Sequence, residues 1–517
     1  MADRASFIAA IEVGSHEVIL KIAEVLPGGK ISEIDFMSRM INLGSNSYRL
    51  GYIADESIGT LIETLKDFKK VISAYPGIEV IAACTSAVRE ASNRLFLIDQ
   101  IYRQTGFEIL IYSNRLEVGE MLRAIRLKMP SFDQLIEEPT LFLDIGAGST
   151  QLTLFDKQEL TFTQNILLGS LRVRDRLSAL EKQTADFISL MLEYISGDLG
   201  YYRSFVPQNT DYKHFILVGN DLGVWRYLAD LPLVGTAELS VEKFEELFDI
   251  IINNSSFEMI RKFDINQEQA TLLLPVSMVI KKMFEFTGLD RVILPDVILA
   301  DGLIAKKAEQ LNWVDKDPRP RNDTLNFAKQ IAKRHHTNLK HVEQVEKLAM
   351  QLFDQFQAQH GLESRHRFIL RVAALLHNIG KFFTVKQDGE IAYEMIKSSD
   401  LIGVSNREIE LIALLVKHHS DDFLTLNYEE IFLTSQEQLV FVKLAVLLSM
   451  ANALDTGHKS KVKQIKTEVR KRHIKVILES NQDLTLELWS FQEAARFFQK
   501  IFGTELRVSI VPETDQS

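Results

Sequence analysis

The sequence predicts an α/β fold with an internal duplication, continued by a helical region and a small α+β tail. Three features predict it. Two matched strand–turn–strand segments occupy 7–25 and 140–155. Strand-like and helix-like runs alternate around them, the pattern of layered α/β architectures. From Thr324 to about Asn452 the spacing of apolar residues becomes helical almost throughout.

The first segment reads FIAAIEV, GSHE, VILKIAEV, two Ile/Val-rich strands around a turn that holds Gly14 and Ser15. The second reads TLFLDI, GAGSTQ, LTLF and repeats the plan: an apolar strand with an acid near its end, one apolar residue, Gly, a small residue and a second strand. Such self-similarity marks a duplicated unit. Between the segments, 55–75 has helical periodicity with Asp55 as its cap, 78–84 is a strand, 92–104 a helix, 107–113 a strand, and a helix runs from 117 to about 128. The second half echoes this with a long helix over 182–204, a strand over 214–219, helices over 241–288 and a strand over 291–295. DKDPRPRND (315–323), charged and carrying Pro318 and Pro320, reads as a linker. In the tail, HIKVILES, LTLELW and LRVSIV read as strands around a helix at 491–502. The expected domains are 1–132, 133–312, 320–460 and 461–517.

A chain of 517 residues suggests three or four domains at roughly 100–200 residues each. Cys84 is its sole cysteine, so no intrachain disulfide forms, which suits a reducing cytoplasm. The start, MADRASFIAAIEV, reads as the approach to a strand and not as a signal peptide. No apolar run reaches the roughly 18 residues of a membrane span; the longest stretches, such as Leu439 to Met450, which Lys443 breaks, are too short. The net charge of −11 argues against a general nucleic-acid binder, which carries a basic excess. Trp225, Trp313 and Trp489 read as core residues, and His335–His336 and His418–His419 as solvent-facing helix ends.

The two glycine turns carry the chemistry. A turn lined by glycine lets backbone N–H groups approach an anion, because no Cβ blocks the way. Ser15, Ser149 and Thr150 add hydroxyl donors, and Glu12 and Asp144 stand at strand ends where they could hold Mg²⁺ directly or through water. Taken singly, either turn reads equally as an ordinary hairpin.

These segments resemble the Ppx/GppA exopolyphosphatase and guanosine pentaphosphate phosphohydrolase family, within the acetate kinase/Hsp70/actin superfamily. Six stretches match in order: IAAIEVGSHEVILKIAEV, ACTSAVREASN, YSNRLEVGEML, LDIGAGSTQLTLF, LLGSLRVRDRL and ILPDVILADGLI. The resemblance implies two actin-like ATPase (ribonuclease H-like) domains with a phosphate chain held between the paired turns. It places the general base that activates water at Glu117, where the residue alone would read as a first-turn helix acid. It places a phosphate-facing guanidinium at Arg89, where a surface salt bridge is the plain reading, and a weaker one at Arg172. Gly14, Ser15, Gly146, Gly148, Ser149 and Thr150 would hold phosphate, and Glu12, Asp144 and Gln151 would surround Mg²⁺.

The chain departs from the family at several of these positions. Glu12 stands for Asp, Gln151 for Glu, Ala147 for the middle glycine of the second turn, and Asn114 for the glycine after Ser113. LVGNDLG (217–223) replaces a Gly/Thr-rich stretch. The helical region resembles an HD phosphohydrolase module, with His341, His377 and Asp455 in matching places and His418 near one. Asn378 stands for the aspartate after His377, and VKQDGEIAY (385–393) lacks the histidines of the family, so no binuclear centre is expected and the remaining imidazoles read as core.

The expected activity is Mg²⁺-assisted release of terminal phosphate from inorganic polyphosphate by a cytoplasmic homodimer, with no nucleic-acid or membrane partner. A weakly active or non-enzymatic sensor of polyphosphate, or of guanosine penta- or tetraphosphate, is the alternative that Glu12 and Gln151 favour. A sugar or acetate kinase fits less well, because LVGNDLGVW is poor in the glycines its adenosine site needs.

Overall fold

The computed structural model describes residues 6–181, 183–184, 186–203, 210–219, 222–384, 386–419 and 433–513. Two compact units divide the chain, residues 1–324 and 325–517.

The first unit contains two sheets. One has the order β3-β2-β1-β4-β5, formed by β1 (Ser6–Val13), β2 (Glu17–Val25), β3 (Ile31–Met40), β4 (Glu79–Cys84) and β5 (Ile109–Ile111). The other has the order β10-β11-β9-β6-β7-β8, formed by β6 (Thr140–Ile145), β7 (Thr150–Asp156), β8 (Glu159–Ile166), β9 (His214–Val218), β10 (Thr236–Ser240) and β11 (Arg291–Pro295). The orders superimpose: β8-β7-β6-β9-β11 repeats β3-β2-β1-β4-β5, with β10 added on the edge. In each half a hairpin opens the sheet, and the first hairpin strand pairs in parallel with the strand after it, β1 with β4 and β6 with β9. The duplication expected from the two turn segments is therefore present in the strand order itself.

Continuous apolar runs fit these strands because both sheet faces are covered. Six consecutive residues of β1 are buried, as a strand under helices on both sides requires. Ile11, Leu20, Leu65 and Leu97 pack in the first core. Leu143, Leu217, Trp225 and Phe244 pack in the second.

Helix Leu299–Gln310 lies against helix Asn114–Lys128 at Gly302, where an added Cβ would fall 2.0 Å from the Glu120 carbonyl oxygen. Backbone cannot yield as a side chain can. Gly302→Ala is therefore expected to cost about 3 kcal/mol, the upper end for overpacking, measured as a lower urea midpoint with unchanged slope.

The second unit is helical from Leu325 to Ala453 apart from turns and one 3₁₀ segment, Ile379–Phe382, among the described residues. It ends in a sheet of order β12-β13-β14: β12 (Gln464–Val469), β13 (His473–Glu479) and β14 (Glu505–Val511). Among the described residues no helix is long and apolar enough to cross a membrane.

Several sequence expectations are corrected. LTLELW is not a strand but opens helix Thr485–Phe502. Its alternation misleads, because the buried positions Leu484, Glu487, Phe491, Ala494 and Phe498 follow a helical stripe. β13 and β14 are parallel, so the chain between them must cross over, and a helix does this. Trp489 is consequently 69% exposed. The linker is partly helical, since helix Arg319–Arg334 begins inside it. Ala54, not Asp55, is the N-cap of helix Asp55–Ile72. His418 and His419 are buried. β3, β8, β10 and β12 lie where no strand is expected. Residues 182, 185 and 204 of the expected long helix, Asn220 and Asp221 of LVGNDLG, and Val385 lie outside the described residues.

Candidate phosphate-binding cleft

The two glycine turns are built alike. Gly14 N–H donates to Glu17 C=O at 2.9 Å, and Gly146 N–H donates to Ser149 C=O at 2.9 Å. A Cβ on Gly14 would come 2.9 Å from that carbonyl oxygen, so the tight turn excludes one. Both turns, with Glu117 and Asp144, line one pocket of about 720 Å³ including its open mouth. The acids enter it for a topological reason: Glu12 and Asp144 are the next-to-last residues of β1 and β6, at the carboxyl ends of parallel-paired strands, where α/β sheets form their binding crevices.

Asp144 faces Glu12 and Glu117 across this space. Burial, then the charges of Glu117 and Glu12, push its carboxyl up to about 8. Glu12 is 4% exposed and accepts from the Ala300 N–H at 3.2 Å, in the first turn of helix Leu299–Gln310. The positive end of that helix favours a buried carboxylate. Glu117 stands in the first turn of helix Asn114–Lys128, whose N-cap is Ser113. Arg89 donates to the Glu117 carboxylate at 2.9 Å and to Tyr112 C=O at 2.7 Å. The guanidinium thus holds the carboxylate in one orientation and is not among the groups lining the pocket.

The donor set suits a hard divalent cation. Three carboxylates share one pocket, and burial first, then the charges of Glu117 and Glu12, raise the Asp144 carboxyl. Among the described residues, no group of three or more His, Cys, Asp or Glu side chains is placed to hold a metal ion. Mg²⁺ keeps waters and takes phosphate oxygens beside one or two carboxylates, and Asp144 and Glu12 are the carboxylates here that could serve it.

Comparison with known proteins decides the family. The Ppx/GppA phosphatase family matches residues 19–311, and domain III of the same family matches 324–493. The chain belongs to the Ppx/GppA phosphatase family. It is 24% identical over 429 residues to a guanosine-5'-triphosphate,3'-diphosphate pyrophosphatase of Aeromonas hydrophila, covering 80% of this chain and 81% of that protein. It is 22% identical over 308 residues to a bifunctional 3-dehydroquinate synthase/phosphatase of Fusobacterium nucleatum, covering 56% of this chain but only 44% of that longer protein. Two solved structures share the actin-like fold. A Cytophaga hutchinsonii exopolyphosphatase has a TM-score of 0.53 at 19% identity, covering 60% of this chain and 99% of that one. The Aquifex aeolicus Ppx/GppA family member has a TM-score of 0.50 at 21% identity, with the same coverage of 60% and 99%.

Within this Ppx/GppA chain, other expected site residues have structural partners. The Thr150 hydroxyl is fully buried and donates to Leu168 C=O at 2.8 Å. Gln151 lines the pocket, but its amide is engaged at both ends: Nε2 donates to Thr163 Oγ1 at 2.6 Å and Oε1 accepts from Asn165 Nδ2 at 3.1 Å. Asn165 Nδ2 also donates to Ser149 Oγ at 3.1 Å. At Gly148 a Cβ would fall 2.2 Å from Tyr48 Oη and 2.6 Å from Ser86 Oγ, so this glycine serves close packing. Ser15, Tyr48 and Ser86 form a triangle of hydroxyls with sides of 2.7, 3.0 and 2.8 Å. Arg172 spans the two halves. It donates to Gly148 C=O at 2.6 Å and to both Glu90 carboxylate oxygens, and lies 4.2 Å over the Tyr48 ring.

Sequence reasoning missed Tyr48, Ser86, Asn165 and His16 as site residues. His16 is 6% exposed and lines the pocket from within the first turn, so its position beside Ser15 was a usable signal. Tyr48 and Asn165 had none, since only folding brings them to the turns.

Proposed function

We propose that this chain releases terminal phosphate from inorganic polyphosphate by in-line attack of water. One observation carries the reading: both glycine turns, Glu117 and Asp144 line the same pocket. The terminal phosphoryl group lies against the amides of the turns 14–17 and 146–149 and the hydroxyls of Ser15 and Ser149. Glu117, oriented by Arg89, accepts the proton of the attacking water. Asp144 and Glu12 form the acidic wall and are the residues that would hold Mg²⁺, which would supply charge neutralisation at the phosphate oxygens. Gln151, locked by Thr163 and Asn165, keeps Ser149 and Asn165 in place and contributes no charge.

A sensor that binds polyphosphate or a guanosine polyphosphate without turnover is favoured by the neutral Gln151. The test is phosphate release from polyphosphate and, separately, from guanosine pentaphosphate, each with Mg²⁺ and with chelator. Mg²⁺-dependent release from polyphosphate supports the proposal. Release from the guanosine compound alone reassigns the substrate, and tight binding with no release from either establishes the sensor.

A further inference from the structure

The second glycine turn is gripped from behind. Gly146 C=O accepts from Ser170 N–H at 3.1 Å, and Ala147 C=O accepts from Leu171 N–H at 3.0 Å and Arg172 N–H at 3.1 Å. These donors are the first three residues of helix Ser170–Glu181, whose opening N–H groups have no partner within the helix. Gly148 C=O is taken by a side chain instead: Arg172 Nε donates to it at 2.6 Å. The described chain has no cis peptide bond. In a trans peptide the C=O and the following N–H point to opposite sides. The carbonyls of 146–148 are turned toward the helix and its arginine, so the N–H groups of Ala147, Gly148 and Ser149 are turned away from them. Gly146, Ala147 and Ser149 line the pocket, and Arg172 does not.

Arg172 is itself fixed. Its Nη2 donates to both oxygens of Glu90, at 2.6 and 2.7 Å, and its guanidinium lies 4.2 Å over the Tyr48 ring. Glu90 ends helix Ser86–Glu90, in the other half of the duplication and 82 residues away. The Tyr48 hydroxyl bonds Ser15 Oγ, in the first glycine turn, at 2.7 Å. The same hydroxyl lies 2.2 Å from where a Cβ on Gly148 would stand, so the phenol packs on the residue whose carbonyl Arg172 holds. The guanidinium is thus committed to a carbonyl, a carboxylate and a ring face, three partners that suit its planar fork. Paired with Glu90, it has little net charge left to offer an anion.

We propose that Arg172 is a positioning residue for the phosphoryl group: it holds the Gly148 carbonyl so that the Ser149 amide faces the anion, with Glu90 as its anchor across the two halves and Tyr48 as its platform. It acts through the peptide and touches no phosphate. This role rests on the anion site proposed above and on no particular substrate. The sign of one substitution separates it from direct contact. Removing Glu90 takes a negative charge from beside the cleft, which by field alone favours an anion. Removing the anchor of Arg172 loosens the turn and disfavours one.

The test is titration calorimetry of the full chain with orthophosphate, alongside KM and kcat for polyphosphate with Mg²⁺. Glu90→Ala is expected to weaken orthophosphate binding about tenfold, the low end for a hydrogen bond to a charged group, and to raise KM by a similar factor while kcat falls less. Arg172→Gln should do the same, and the double variant should bind no more weakly than Arg172→Gln alone, since both changes remove one brace. Arg172→Lys should recover little, because an ammonium lacks the fork. Unchanged or tighter orthophosphate binding by Glu90→Ala overturns the proposal. So does near-parental binding by Arg172→Lys, which marks a direct charge contact, or a parent chain that binds no orthophosphate. A parent that binds orthophosphate but releases none from polyphosphate removes the hydrolase reading and leaves the role of Arg172 to the calorimetry. Should Arg172→Gln not fold, Glu90→Ala decides, at a side chain 35% exposed.

Discussion

Glu117→Gln is expected to lower phosphate release from polyphosphate by about 10²- to 10⁴-fold, the usual contribution of a positioned general base, while polyphosphate affinity changes little. The substitution preserves size and leaves an amide oxygen to accept from Arg89, now 2.9 Å from the carboxylate. It removes only the group that takes the water's proton. A second readout is independent of turnover. Glu117 is, after burial, the largest cause of the raised Asp144 carboxyl, so Asp144 should titrate lower in the variant, as NMR of the side-chain carboxyl would show. Near-parental turnover in a variant whose Asp144 titration has shifted would remove Glu117 from the mechanism while leaving the cleft intact.

Asp144→Asn should raise the stability of the ligand-free protein at alkaline pH while abolishing activity. The Asp144 carboxyl moves from 3.8 to about 8 on folding. Between these values the native state holds a proton that the unfolded chain has released, so unfolding free energy falls as pH rises through that window. The stability is fully present below the lower value and lost as pH passes the upper one. At about 1.4 kcal/mol per pH unit, the whole window is worth on the order of 4–6 kcal/mol at most. Asparagine carries no such charge, so the variant should match the parent near pH 4 and exceed it at pH 9. Equal stability of variant and parent at both pH values would show that Asp144 does not stand in the buried, acid-flanked place assigned to it. The gain in stability with loss of function is the trade-off expected where a site concentrates like charge.

The cleft was legible in the sequence to the extent that its groups are local. Turn chemistry is written in consecutive residues, so Gly14–Ser15 and Gly146–Ser149 could be found by their spacing, and the closing hydrogen bonds of both turns are the same. The duplicated sheet follows from the same repeat. Roles that depend on partners far along the chain were less legible. Arg89 lies 28 residues from Glu117, and nothing in SAVREASN tells whether its guanidinium meets a phosphate or a carboxylate. Thr150 and Gly148 stand in the right turn, yet the Thr150 hydroxyl bonds the Leu168 carbonyl in the segment after β8 and the Gly148 position serves the packing of Tyr48.

By itself the sequence determined the strands of the two matched hairpins and the parallel strands that follow them, where the paired turns fall, and which acids stand at the strand ends, because apolar periodicity and glycine placement act within a few residues. Tertiary structure decided the rest. It set the charge state of Asp144, since desolvation and the fields of Glu12 and Glu117 exist only once three distant strand and helix ends converge. It turned LTLELW into helix, because a parallel pair needs a crossover. It also brought His341 and His377 face to face across 36 residues, a distance that no local pattern can close.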